Sequence, residues 1–179
     1  INFQITETQA DADIRFAHAN LGSGLLGYMN PQNYNSNEGL GVLTSNSSYW
    51  NDTSMQVGGF MYGVVVHEIG HGLGLAHPHD TGGGSQVMDG VSYPSDKGDY
   101  GQMNQSVYTV MSYNDGFAAH PLGLPSDYSS GYMASFAALD IAVLQSYYGE
   151  NDSYNAGSNT YSLGSKDYFE TIWDGGGTD

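Results

Sequence analysis

Residues 64–80 read "VVVHEIGHGLGLAHPHD", and this stretch governs the fold prediction because it holds four of the six histidines in the chain. The segment around it predicts a helix from near Met61 to near Gly74. His67 and His71 are four residues apart, so on a helix they lie on one face, where both imidazoles can reach one metal ion. Glu68 lies about 100° further round the helix, so its carboxylate can reach a water on that metal without being a ligand.

A third ligand would lie on another face if the helix continued past Gly74. Glycine accepts the left-handed backbone conformation that ends many helices, so the chain can turn there and bring His77 back towards His67 and His71. Pro78 stiffens this exit because it fixes its own φ and restricts the preceding residue. We therefore predict a zinc ion held by the three histidines, with Gly74 and Pro78 in structural roles.

Composition narrows the class of protein. The 179 residues suit one domain or one domain with a short appendage, and 39% of them are hydrophobic, which is enough for a buried core. The formal net charge of −16 argues against nucleic acid and anionic membranes as partners, and no apolar run is long enough for membrane insertion. The chain has no cysteine, so disulfides and thiolate ligands are excluded.

The order of predicted elements favours an α+β fold. Strands are expected at 1–6, 12–19 and 39–50, with Gly- and Asn-rich loops at 20–38 and 78–106. A second helix is expected within 132–149, where apolar residues recur every three or four positions before Gly149. We expect a catalytic domain over 1–149 and the start of a second module over 150–179. Both ends of the sequence look cut, which favours a fragment of a longer protein.

The full string H-E-x-x-H-x-x-G-x-x-H resembles the signature of the metzincin zinc peptidases. "HGLGLAHP" resembles their serralysin branch, secreted bacterial proteases with a calcium-binding repeat domain. "TVMSYND" (109–115) is similar to the family's Met-turn, which implies that Met111 forms a hydrophobic floor under the metal and that Tyr113 is a catalytic group able to bind zinc and swing away. The resemblance also implies a twisted mixed sheet, a helix after the Met-turn and a cleft between upper and lower parts.

The end of the chain, "TIWDGGGTD", resembles the family's entry into its calcium repeats. The resemblance implies a calcium site between two segments of the chain. Its oxygen ligands would come from Asn155, Gly157, Asn159, Asp174, Gly176 and Asp179. "DGGGTD" departs from the glycine pattern of a full repeat, G-G-x-G-x-D, with Thr178 in the second-last place.

The resemblance implies a secreted zinc endopeptidase that cleaves protein or peptide substrates, with Glu68 as the general base. The strand at 39–46 is the candidate edge for pairing with an extended substrate. Two other readings remain open: a calcium-dependent binding module with a structural zinc site, or an inactive protease fragment that binds an inhibitor or the remainder of the same protein. His18, His79 and His120 fall outside the metal spacing, and we expect surface or loop roles for them.

Overall fold

A computed structural model describes residues 3–31, 36–99, 101–116, 125, 127–162 and 166–179. Its elements, in chain order, are a short 3-10 helix (Gln9–Asp11), strands β1 (Arg15–Ala19), β2 (Gly27–Met29) and β3 (Leu40–Thr44), and helices α1 (Phe60–Gly72) and α2 (Ala138–Tyr148). This small mixed sheet with two helices confirms the predicted α+β class.

The three strands form one sheet in the order β1-β3-β2. β1 runs parallel to β3, with Arg15 opposite Leu40, and β2 runs antiparallel to β3, with Gly27 opposite Leu43. β3 is therefore paired on both sides. The prediction that residues 39–46 offer a free edge to substrate is wrong, because both rows of backbone hydrogen-bonding groups on this strand face neighbouring strands. The antiparallel edge strand is β2, which lies inside the predicted loop 20–38.

Two of the three predicted strands survive in shortened form. β1 occupies the second half of the predicted 12–19, and β3 ends at Thr44 because the chain then turns, with the Trp50 indole N–H donating to the Thr44 carbonyl at 2.6 Å. The strand expected at 1–6 is wrong for residues 3–6, which lie in no strand; residues 1 and 2 are outside the described residues.

Helix α1 ends where the glycine pattern predicts. It stops at Gly72, two residues before the predicted end, and the Leu73 N–H still bonds to the carbonyls of Ile69 and Gly70. Gly74 then adopts φ +96°, a conformation that costs a side-chain-bearing residue energy. The chain turns there and runs back beside the helix, with the Leu75 N–H donating to the Gly70 carbonyl.

The hydrophobic core lies between the end of α1, the turn at 109–112 and α2. Its buried members are Leu73, Leu75, Val110, Met111, Met133, Ala137 and Leu144. Because this cluster fixes the end of α1 and the 109–112 turn against each other, it sets the relative positions of residues that are far apart in sequence.

Asp140 is a buried carboxylate at the centre of this arrangement. One of its oxygens accepts from the Thr109 hydroxyl at 2.6 Å, and the other accepts from the N–H groups of Val110 at 2.8 Å and Ala137 at 2.9 Å. Burial raises the pKa of Asp140 to about 6, although these hydrogen bonds oppose the rise. The side chain thus caps the start of α2 and holds the 109–112 turn onto it.

Residues 150–179 contain no helix or strand among those described, but they do contact the rest of the chain. Phe169 forms a parallel bridge with Met133 and packs against the core, and its N–H donates to the Tyr132 carbonyl at 3.1 Å. The division into 1–149 and 150–179 remains a prediction. No helix in the described part of the chain is long and apolar enough to cross a bilayer.

Replacing Asp140 with Ala should lower the free energy of unfolding by about 2–4 kcal/mol, since the buried N–H groups of Val110 and Ala137 lose their acceptor. Urea unfolding measures this difference. Asp52→Ala, the same change at an exposed position, serves as the control and should alter stability by less than about 0.5 kcal/mol. Equal stability of the two variants would contradict the role assigned to Asp140.

Candidate metal centre

Three histidine side chains converge on one point beside α1. His67 and His71 come from the helix, and His77 comes from the chain that returns after Gly74. The Nε2 atom of His77 lies 3.2 Å from Nε2 of His67 and 3.0 Å from Nε2 of His71. Ligand nitrogens at tetrahedral corners around Zn²⁺ are about 3.3 Å apart, so this spacing fits a zinc ion.

The opposite nitrogen of each ring is held by an acceptor. Nδ1–H of His67 donates to the Val110 carbonyl at 2.7 Å, and that of His71 donates to the Leu75 carbonyl at 2.8 Å. His77 Nδ1 lies 2.7 Å from an Asp80 carboxylate oxygen. A carbonyl or carboxylate can only accept, so each Nδ1 carries the proton and each Nε2 lone pair points at the shared centre.

Burial also favours the neutral imidazoles that bind metal. It lowers the pKa of His67 to about 3, and the neighbouring His71 adds to this effect. It lowers the pKa of His71 to about 4, with a further contribution from His77. Both rings are therefore unprotonated at neutral pH, where a zinc ligand must be.

Glu68 lies under the edge strand. It is 4% exposed, and burial raises the pKa of its carboxyl to about 7. One of its oxygens, Oε2, has no hydrogen-bond partner among the described residues. A Cβ placed on Gly27 of β2 would come within 2.9 Å of the other oxygen, Oε1. The glycine therefore leaves the carboxylate room beside the helix that carries the histidines.

Tyr113 follows the 109–112 turn and reaches the same centre. Its hydroxyl lies 2.9 Å from Nε2 of His77, and its ring stacks at 5.8 Å on that of His67. The residue is 56% exposed, which leaves it space to move. Burial, and then the charges of Glu68 and Asp80, raise the pKa of Tyr113, so the phenol stays protonated at neutral pH.

Met111 lies against the face of α1 that carries the histidines. It is 1% exposed, and its sulfur would be only 2.6 Å from a Cβ added to Gly70. Gly70, between His67 and His71, is therefore the glycine that allows this close contact, and the sequence analysis did not single it out. A larger residue there would push the 109–112 turn away from the helix.

Sequence reasoning also missed two residues beside His77. His79 does lie in the loop after α1, as expected, but its side chain is only 13% exposed and its ring stacks on His77 at 5.1 Å. Asp80 accepts a hydrogen bond from His77. In the sequence, the only signal for this contact is that Asp80 lies three residues after His77. Of the other histidines, His18 packs against Trp50 at 5.5 Å, and His120 is outside the described residues.

A cavity of about 390 Å³ opens beside His67, the one of the three histidines that lines it. His67, Glu68 and Tyr113 form one part of its lining, and residues 24–27, which lead into β2, form another. The centre thus has one side open to a space large enough for part of a peptide.

Comparison with known proteins agrees with this geometry. Residues 2–78 match the model of the metallo-peptidase family M12B, reprolysin-like. The chain is 31% identical to the metallopeptidase AprA of Pseudomonas marginalis over 79% of its own length, and 31% identical to serralysin of Proteus mirabilis over 75%. It is 29% identical to serralysin of Photorhabdus luminescens over its whole length.

These matches cover 31%, 28% and 38% of the three relatives, so the chain spans about a third of their length. The match to the Photorhabdus luminescens serralysin covers the whole chain, so it includes the three histidines, Glu68 and the turn that carries Met111. By these similarities and by its fold, the chain belongs to the serralysin-like branch of the metzincins.

Proposed function

We propose that the chain is the catalytic part of a zinc-dependent endopeptidase. The observation that carries this proposal is the convergence of three Nε2 atoms beside a buried, unpaired glutamate at the edge of an open cavity. His67, His71 and His77 would hold Zn²⁺, which polarises a peptide carbonyl and makes water acidic enough to react near neutral pH.

The residues of this chain supply the remaining chemistry. Glu68 takes a proton from the attacking water and passes it to the nitrogen of the departing amine. Its raised pKa of about 7 suits both steps, because the carboxylate must gain and lose a proton in each cycle. Tyr113, which touches the His77 corner of the centre, moves aside and donates a hydrogen bond to the oxygen that develops negative charge.

An extended substrate would pair with β2 rather than with β3. β2 is the free antiparallel edge, and Gly27 lies directly over Glu68. A peptide added along this edge would form backbone hydrogen bonds independent of its sequence, and a peptide bond would lie over the three histidines.

The alternative readings assign the zinc a structural role. A structural site is closed by four protein ligands. The group of histidines, aspartates and glutamates that meets at this centre contains only His67, His71 and His77 among the described residues. The Tyr113 hydroxyl lies 2.9 Å from Nε2 of His77, but it belongs to an exposed side chain. A buried, unpaired Glu68 also has no purpose in a structural site, so the geometry favours catalysis.

Secretion and partners belong to the same proposal. Likeness to serralysins supports an extracellular enzyme acting on protein or peptide substrates. A protein inhibitor, or the remainder of a longer protein, would be a further partner.

We also propose a calcium site between the segments 155–159 and 174–179. The side-chain amide nitrogen of Asn159 donates to the carbonyls of Asn155 and Gly157, at 2.6 and 3.1 Å. The Asp179 carboxylate accepts from the Asn159 N–H, and the Asp174 carboxylate accepts from Tyr161 and Gly176. Carbonyl and carboxylate oxygens from both segments therefore lie close together and accept hydrogen bonds. Ca²⁺ binds carbonyl and carboxylate oxygens, and it would bind these oxygens more strongly than the N–H and O–H donors do. Gly176 would add its carbonyl.

Replacing Glu68 with Gln should leave zinc bound but lower kcat/KM on a quenched-fluorescence peptide by about 100-fold or more, since the amide cannot act as a base. Zinc content per chain is measured on the same sample by metal analysis. Glu7→Gln, the same change at an exposed position, should keep full activity. If the Glu68 variant retained more than about a tenth of the activity, the general-base role would be wrong.

Adding calcium should raise the melting temperature, because an ion that binds only the folded chain stabilises it. Asp174→Ala should abolish the rise, whereas Asp11→Ala, a change at an exposed aspartate far along the chain, should preserve it. A melting curve that stays the same from micromolar to millimolar calcium would count against the site.

A further inference from the structure

The cavity beside the histidines has a carboxylate in its wall that the proposed reaction does not use. Asp115 lies two residues after Tyr113 and lines this cavity together with His67 and Glu68. No hydrogen bond or ion pair joins its side chain to any other described residue. The residue is exposed to solvent, yet the surrounding groups remove enough water to raise the pKa of its carboxyl.

The wall near Asp115 is aromatic. Phe60, from the start of α1, and Tyr132 both line the cavity, with ring centroids 5.3 Å apart. Tyr132 and Asp115 line the same cavity, and burial, followed by the negative charge of Asp115, raises the pKa of Tyr132 to about 12. Tyr128 packs on Phe60 at 5.1 Å and extends the aromatic surface.

None of the cationic side chains in the described part of the chain lines the cavity. The lysines and arginines of the chain are Arg15, Lys97 and Lys166. Lys166 pairs with Glu170, and Arg15 donates to the Glu38 carbonyl. A carboxylate beside aromatic faces, in a chain with a net charge of −16, provides ion pairing and cation–π contact for a positively charged group from outside.

We propose that this cavity binds the side chain of an arginine or lysine in the substrate, next to the scissile bond, with Asp115 pairing its charge and Phe60 and Tyr132 contacting its stem. The inference rests on the proposed peptidase function, because His67 and Glu68 line the cavity. Asp115 would then determine specificity, and a substrate with a basic residue at this position would be cleaved faster than its neutral counterpart. An apolar side chain would fill the same space but leave the carboxylate without a partner.

Matched peptides test this preference. Four peptides are identical except at one position, which holds arginine, its neutral isostere citrulline, lysine or norleucine. Further sets of four place this variable residue at each position on both sides of the cleaved bond. At one of these positions kcat/KM should favour arginine over citrulline by about tenfold or more, the size expected for a hydrogen bond to a charged group. Asp115→Asn should remove this preference, and Asp115→Glu and Glu7→Gln should retain it.

Binding separates this inference from the proposed function. The zinc-loaded Glu68→Gln variant should bind the arginine peptide about tenfold more tightly than the citrulline peptide, and adding Asp115→Asn should equalise the two dissociation constants. If the chain cleaves no peptide but shows this binding preference, the cavity assignment stands and the peptidase proposal fails. If arginine and citrulline peptides are cleaved and bound alike, or if the preference survives Asp115→Asn, the assignment is wrong. The arginine and citrulline peptides are also compared on the unaltered chain, so this test gives a result even if a variant fails to fold.

Discussion

The metal centre depends on three hydrogen bonds that fix the back of each imidazole ring. Val110, Leu75 and Asp80 supply the acceptors, and each acceptor belongs to a different part of the chain. The first is in the turn before α2, the second is in the segment after the Gly74 break, and the third is in the loop after His77. Only a fold that holds all three parts together can direct three Nε2 atoms at one point, so the position of the centre follows from the packing around it.

That packing links the core directly to the centre. Asp140 accepts from the Val110 N–H, while the Val110 carbonyl accepts from the His67 ring, so one residue connects a buried carboxylate with the candidate metal centre. Met111, the next residue, rests on the helix where Gly70 leaves space. A disturbance at the start of α2 therefore reaches His67 through a single residue. The buried carboxylate fixes the orientation of the turn, and the methionine fixes its distance from α1.

Local sequence patterns predicted the helical pair of histidines, the break at Gly74 and the second helix. Each depends on spacing or backbone conformation within a few residues. β2 was missed because three residues between glycine-rich loops carry little strand signal, and only pairing with β3 makes them a strand. That pairing also made β3 a central strand instead of an edge. Periodicity could not reveal features that depend on residues far apart in sequence. These features are the hydrogen-bond partners of Asp140, the contact of Met111 with Gly70, and the position of Asp115 in the cavity wall.

X-ray absorption at the zinc edge of the purified chain tests the central claim most directly. The geometry predicts one zinc per chain with three imidazole nitrogens at about 2.0–2.1 Å and the rest of the coordination completed by oxygen. Replacing His77 with Ala should reduce the imidazole count by one, because its Nε2 completes the centre. A zinc coordinated by four imidazoles, or one whose surroundings do not change in that variant, would contradict the account.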